Sequence, residues 1–147
     1  MRVERILPIA LQRLVTIQTD ASVRDQAKLL SNTHISLLVV CNPDGQMVGV
    51  VTKTDIVRQV AQDRADLDTL TTESVMKRDV TYCRPGDSVQ EVLSIMHERG
   101  FVHVPIVDEE SRPSGVLNVR DALQVLLAEV EQDGTFLRDY VLGVGYH

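Results

Sequence analysis

The chain has 147 residues, 44% of them apolar and 24% charged, with a formal net charge of −6. That is globular composition for one domain or two very small ones, and the negative charge disfavours a polyanion-binding surface. Aromatics make up only 3% and Trp is absent, which also argues against stacking platforms for single-stranded nucleic acid.

Met1 to Arg5 is charged, and the apolar stretch after it, Ile6 to Leu11, is interrupted by Pro8. It is too short for a signal-peptide core or a bilayer span. Cys41 and Cys83 lie in apolar segments, without disulfide-framework or metal-ligand spacing, and read as buried free thiols. These features predict a soluble protein of the reducing cytoplasm, with no membrane contact.

The sequence then repeats itself. Val23, Ala27, Leu30, Gly49, Val50 and Asp55 recur as Val89, Leu93, Met96, Gly115, Val116 and Asp121, all at an offset of 66. Val39-Val40 matches Ile106-Val107 at 67, which implies a longer loop before that strand in the second copy and a shorter hairpin after it. Each copy opens with a short apolar strand, Leu14 to Ile17 and Val80 to Cys83. A helix follows, announced by a capping box at Ser88 to Glu91 and a weaker one at Ser22 to Asp25. Val89, Val92, Leu93 and Met96 mark one face of the second of these helices. Next come strands at Ser36 to Cys41 and His103 to Val107, turns at 42–45 and 109–113, and strands at Met47 to Thr52 and Ser114 to Asn118. A helix closes each copy, with Ile56, Val57, Val60 and Ala61 as one apolar stripe and Ala122, Leu123, Leu126, Leu127 and Val130 as the other.

The expected fold class is therefore α/β (α+β): two β-α-β-β-α repeats, residues 6–66 and 74–132, packed about a pseudo-two-fold axis. A polar linker, Gln62 to Glu73, joins them. An amphipathic helical tail, 135–147, carries Phe136, Leu137, Tyr140, Val141 and Val144.

The repeated segments Gly49 to Asp55 (GVVTKTD) and Gly115 to Asp121 (GVLNVRD) hold the most chemistry. Each sets an Asp at the start of a helix, where free N–H groups and the dipole favour phosphate. An Asp there can accept two hydrogen bonds from a ribose diol, Thr52 or Asn118 can bond sugar or base, and Lys53 or Arg120 can meet phosphate. Thr54 or Asp55, and Arg120-Asp121, can equally be plain helix caps. One copy alone favours the cap; two copies at a fixed offset favour a ligand. Among the histidines, His34 reads as a turn residue and His97 as a solvated helix residue. His103 opens a strand facing the cleft between repeats, where ligand contact and packing are equally open. No nucleophile elbow, P-loop, paired carboxylates or His pair is present, so neither catalysis nor a metal is expected.

These segments resemble the cystathionine-β-synthase (CBS) domain family. Ser74 to Tyr82 (SVMKRDVTY) is similar to the opening of a CBS domain, Phe101 to Asp108 (FVHVPIVD) with GVLNVRD to its later part, and Ile35 to Val40 (ISLLVV) with GVVTKTD to the same part in the first copy. The resemblance spans roughly residues 6 to 130. It implies a stand-alone CBS pair (a Bateman module) that is regulatory, not an enzyme, dimerises into a disc, signals to a protein partner, and holds an adenosyl ligand between its repeats: AMP, ADP or ATP, with NAD or S-adenosylmethionine as alternatives. Asp55 and Asp121 would grip ribose. Thr52 matches the family's hydroxyl position, whereas Asn118 departs from it. The Asp55 site would be completed by Val50, Asp87, Val102 and His103, and the Asp121 site by Ala21, Ile35, Ser36 and Val116. Thr54, Lys53 and Arg120 would be the phosphate contacts; a second phosphate needs more positive charge than Lys53 or Arg120 supplies, and Arg24, Lys28, Arg58, Arg84 or Arg99 are the residues that could bring it into the cleft. A ligand-free dimerisation platform is the competing reading. The Leu137 to Gly143 segment resembles a tail helix of bacterial CBS pairs.

Overall fold

A computed structural model describes residues 1–62 and 66–133; the expected tail helix lies outside them. Among the described residues, no helix is long and apolar enough to cross a membrane. After a single 3₁₀ turn at Val3–Ile6 come α1 (Leu7–Gln12), β1 (Thr16–Gln18), α2 (Val23–Leu30), β2 (Leu37–Cys41), β3 (Met47–Thr52) and α3 (Lys53–Ala61). The second half holds α4 (Thr72–Val75), α5 (Val89–Arg99), β4 (His103–Val107), β5 (Pro113–Asn118) and α6 (Val119–Asp133). Ser22 and Ser88 cap α2 and α5 by accepting from the backbone N–H of Asp25 and Glu91. Gly100 ends α5 at φ +73°, its N–H on the His97 carbonyl and the Phe101 N–H on that of Met96, a left-handed stop that suits glycine.

In the first sheet β1 pairs parallel with β2, and β2 antiparallel with β3; in the second, β4 and β5 are antiparallel. Strand alternation sorts the side chains. Leu38, Val40 and Val51 face their own helices, whereas Leu37, Val39, Cys41, Val50 and Val116 form a separate cluster joining the two sheets. The helices lie outside and the sheets meet inside. Cys41 and Cys83 are buried free thiols, and burial, with Asp87 nearby, pushes the Cys83 thiol up to about 12.

The structure corrects the register read from sequence. Val40 pairs with Gly49 and Ile106 with Gly115, so Val40 and Ile106 are equivalent at the same offset of 66 as every other anchor. The hairpins have equal length, with Ser111 at φ +65° where the first copy has Gly45 at +81°. The slip arose because Pro105 stands where Val39 does, so apolar similarity pointed one residue too far. Register by one would have turned every side chain to the wrong face.

Pro105 also accounts for a lost strand. In the first copy the Val39 N–H donates to the Val15 carbonyl at 3.0 Å. Proline has no N–H to give. The expected Val80 to Cys83 strand is accordingly reduced to one bridge, Cys83 with Ile106, held by Cys83 N–H on Pro105 and Val107 N–H on Cys83.

The halves also exchange their opening segments. Val3, Ile6 and Ala10 belong to the core of the second half, with Val89, Met96 and Leu117. Met76 belongs to the core of the first, with Leu38 and Val51. Gly49 lies under Met76 and Lys77, and Gly115 under Ala10. Each repeat glycine thus marks the place where the segment leading into one repeat crosses the sheet of the other.

The closing helices differ from expectation. α3 turns Asp55 and Gln59 inward and leaves Val57 and Val60 exposed. α6 buries Ala122 but exposes Leu123, Leu127 and Val130. Leu29 on α2 and Ile95 on α5 are exposed at equivalent positions.

Candidate functional site

The edge between the two sheets holds both repeated motifs. β3 runs into α3 with no loop, so Thr52 is at once the last strand residue and the helix cap. The Asp55 N–H donates to Thr52 Oγ1 at 3.4 Å, and Asp55 Oδ2 accepts from the Thr52 N–H at 2.8 Å and from its hydroxyl at 3.1 Å. This reciprocal box fixes a carboxylate that is only 3% exposed. Its second oxygen faces Arg58 Nη1 at 3.2 Å and Lys77 Nζ at 3.4 Å.

Beside it lies a hollow of about 110 Å³ drawn from both halves: Leu37, Val50 and Thr52 from the first, Lys77, Asp79 and His103 from the second. Of the predicted contacts, Val50, Thr52 and His103 line it. Val102 and Asp87 do not. Val102 borders a larger apolar hollow of about 460 Å³ between α5 and α6, and Asp87 Oδ2 accepts from the Arg84 N–H in the turn before α5. Lys53 and Thr54 are exposed in the first turn of α3.

The second motif is built differently. Asn118 Oδ1 accepts from the N–H groups of Arg120, at 2.8 Å, and Asp121, at 3.4 Å. Asp121 turns away to Arg13, whose Nη2 donates to Oδ1 at 3.0 Å and whose Nε donates to Oδ2. Ile35 lies with them around a hollow of about 260 Å³, and Ser36, Val116 and Asn118 line the narrow gap beside Arg13 and His103. Ala21 packs instead in the first-half core, its carbonyl accepting from Thr72, and Arg120 is exposed. Thr54 and Arg120 are therefore not the caps; Thr52 and Asn118 are.

The cations nearest the carboxylates are thus Arg58, Lys77 and Arg13. Of these only Arg58 was among the cations that sequence offered to the cleft. Lys77 and Arg13 precede the opening strand of each repeat, and the exchange of those segments carries them to the opposite half. Among the described residues, no group of three or more His, Cys, Asp or Glu could hold a metal.

His103 joins the halves, its Nδ1 3.2 Å from Ser36 Oγ. Burial, and then the Arg13 charge, lower its pKa below the usual imidazole value. Folding therefore favours neutral His103, and the unfolded chain takes up the proton first as pH falls. Stability is expected to fall from about pH 6.5 downward until the folded-state imidazole also titrates, by at most about 1.4 kcal/mol per pH unit. In urea titrations from pH 7.5 to 5, His103→Gln should flatten this part of the profile; a variant that tracks the wild type would exclude His103 as its source.

Comparison with known proteins agrees with this architecture. The family model described as CBS domain matches residues 6–62 and 73–128. An uncharacterized 17.7 kDa protein of Acidianus ambivalens is 28% identical over 123 residues, covering 84% of this chain and 73% of its own. A homoserine O-acetyltransferase of Methanocorpusculum labreanum is 30% identical over 117 residues, but the chain spans only 23% of its length. Among solved structures, the CBS domain pair of protein MJ0100, in complex with 5′-methylthioadenosine and S-adenosyl-L-methionine, superposes with a TM-score of 0.73 at 25% identity, covering 88% of this chain and 98% of that one. The cytosolic domain of the Mg²⁺ channel MgtE, in complex with ATP, gives 0.65 at 25% identity, over 77% and 45%.

Proposed function

Because the chain belongs to the CBS domain family, we propose that it is a regulatory module that binds an adenosyl ligand between its two halves, with AMP, ADP or ATP favoured over NAD and S-adenosylmethionine. The observation that carries this reading is the Asp55 carboxylate. It is held at a helix start, beside a hollow drawn from both halves, with one oxygen committed to its cap and the other facing two half-exposed cations. A ribose diol can donate to such a carboxylate, and Lys77 and Arg58 can turn to a phosphate. The adenosyl ligands named for the MJ0100 pair and the MgtE domain support the ligand class. Because both halves line the hollow, a ligand that prefers one relative arrangement shifts the pair toward it. That is the means by which the module would signal to a protein partner. The enzyme-named relative is far longer than the matched segment, and we read this chain as non-catalytic.

The test is a thermal-shift series with AMP, ADP, ATP, NAD, NADH and S-adenosylmethionine. A ligand at a hundred times its Kd adds about 2.7 kcal/mol, or roughly 5–10 °C for a chain of this size. No shift with any of them at millimolar concentration would favour a ligand-free platform for self-association.

Self-association has its own support. Leu29 with Val57 and Ile95 with Leu123 are exposed apolar pairs at positions related by the repeat, so each half presents the same kind of strip, and a second copy can cover both strips at once about a two-fold axis. We expect a homodimer through these helices. Val57→Lys with Leu123→Lys should convert it to monomer in light scattering, and a wild-type monomer would remove the proposal.

A further inference from the structure

The two carboxylates face different charge. Asp55 meets Arg58 and Lys77 through single contacts to one oxygen, from side chains that are about half exposed, 51% and 53%. Asp121, with a side chain only 10% exposed, has both oxygens taken by the two-pronged guanidinium of Arg13. The repeat places Asp79 where Arg13 stands, 66 residues on, and Asp79 lines the Asp55 hollow. One cleft therefore carries an arginine at the position where the other carries a carboxylate.

We infer that Arg13 makes the Asp121 site selective for anionic adenosyl ligands over neutral or cationic ones, an inference that rests on the adenosyl-binding reading above. A ribose diol that grips Asp121 by the same two-point geometry must take the places the guanidinium holds, so the guanidinium has to let go. Releasing one member of a partly buried pair leaves its charge uncompensated unless another anion takes it. A phosphate offers the guanidinium two acceptor oxygens for parallel hydrogen bonds, as the carboxylate did. The hollow of about 260 Å³ bounded by Arg13, Gln12, His34 and Asp121 gives such a group room beside Arg13. Adenosine brings no replacement anion, and S-adenosylmethionine brings its carboxylate only together with a sulfonium and an ammonium, for a net positive charge beside the guanidinium. The Asp55 site, with Asp79 in the equivalent place, lacks this two-pronged guanidinium and relies on the half-exposed Arg58 and Lys77.

Calorimetric titration of Asp55→Asn, which leaves Asp121 as the working site, tests this. AMP should bind at least about ten-fold more tightly than adenosine, and adding Arg13→Gln should bring the two within about three-fold. Arg13→Lys, a single point charge without the fork, should keep part of the preference and guards against reading a folding defect as lost selectivity. Equal binding of AMP and adenosine with Arg13 present, a preference that survives Arg13→Gln, or no AMP binding at this site would overturn the inference. Titrating Asp121→Asn separates the two readings. Adenosyl binding there, with any of those results at the Asp121 site, sinks the selectivity alone, whereas no adenosyl binding in either variant sinks both.

Discussion

Gly115→Val is expected to lower stability by about 3 kcal/mol, seen as a fall of about 6–12 °C in Tm and an earlier urea midpoint. A Cβ at Gly115 would stand 2.8 Å from the Ala10 Cβ, 2.9 Å from its carbonyl carbon and 3.1 Å from its oxygen. Two of those three atoms are backbone, so no rotamer change relieves the clash, and α1 must lift from β5. Lifting α1 also withdraws Val3, Ile6 and Ala10 from the second-half core, where each is 0–1% exposed. Gly86→Ala is the control: nothing lies within 4 Å of its added Cβ, and a change within about 0.5 kcal/mol is expected. If Gly115→Val is as mild as Gly86→Ala, the crossing of the opening segment over the opposite sheet is not a load on folding, and the exchange described above is wrong. Gly49→Val should behave somewhat more gently, because Met76 can swing its thioether aside while the Lys77 carbonyl, at 2.8 Å, cannot.

That exchange is also the main feature that sequence did not disclose. β3 and β4 were legible to the residue because short apolar runs bounded by turn residues and Gly have few other solutions. The repeat drew attention to Asp55 and Asp121, and the structure sets the first in a reciprocal cap with Thr52 and the second on Arg13. Partnership across the fold left no such trace. Arg13 is separated from Asp121 by 108 residues and lies in a stretch with no periodic pattern. Lys77 sits just before a strand that Pro105 reduces to a single bridge. The helix stripes misled for a different reason. Val57, Leu123 and Leu127 have helical spacing, and periodicity reports that a face is apolar without saying whether this chain or another covers it. The inward positions of α3 went to Asp55 and Gln59, a polar face that a hydrophobic pattern does not reveal.

Asp55→Asn should leave the unliganded protein nearly as stable and raise the Kd of an adenosyl ligand at the first site by about 100-fold or more. The stability half follows from the cap. Asn can still accept from the Thr52 N–H, as Asp55 does at 2.8 Å, because its amide oxygen can fill the third-residue place of the capping box as a neutral Gln does in place of Glu. The ion pairs that are lost run to Arg58 and Lys77, both about half exposed and so hydrated when left alone, and the substitution also removes the cost of burying the carboxylate charge. A loss below about 1 kcal/mol is expected. Binding is different. A carboxylate offers about four acceptor positions, of which Thr52 uses two on one oxygen. The remaining ones, on the oxygen that faces Arg58 and Lys77, can take both ribose hydroxyls once those cations turn to the phosphate, as charge-assisted bonds of about 1.5–3 kcal/mol each. Asn presents one oxygen, already committed to the cap, and an NH₂ that donates where the diol also donates. Losing both bonds amounts to about 3–4 kcal/mol or more, which is the 100-fold or greater change in Kd. Calorimetry on the two proteins, with melting curves of each alone, reads both halves together. A variant that melts like the wild type and binds AMP as well as the wild type would place the ribose elsewhere. One that loses several kcal/mol of stability without ligand would make Asp55 a folding residue first, with its buried carboxylate held for the cap and for nothing beyond it.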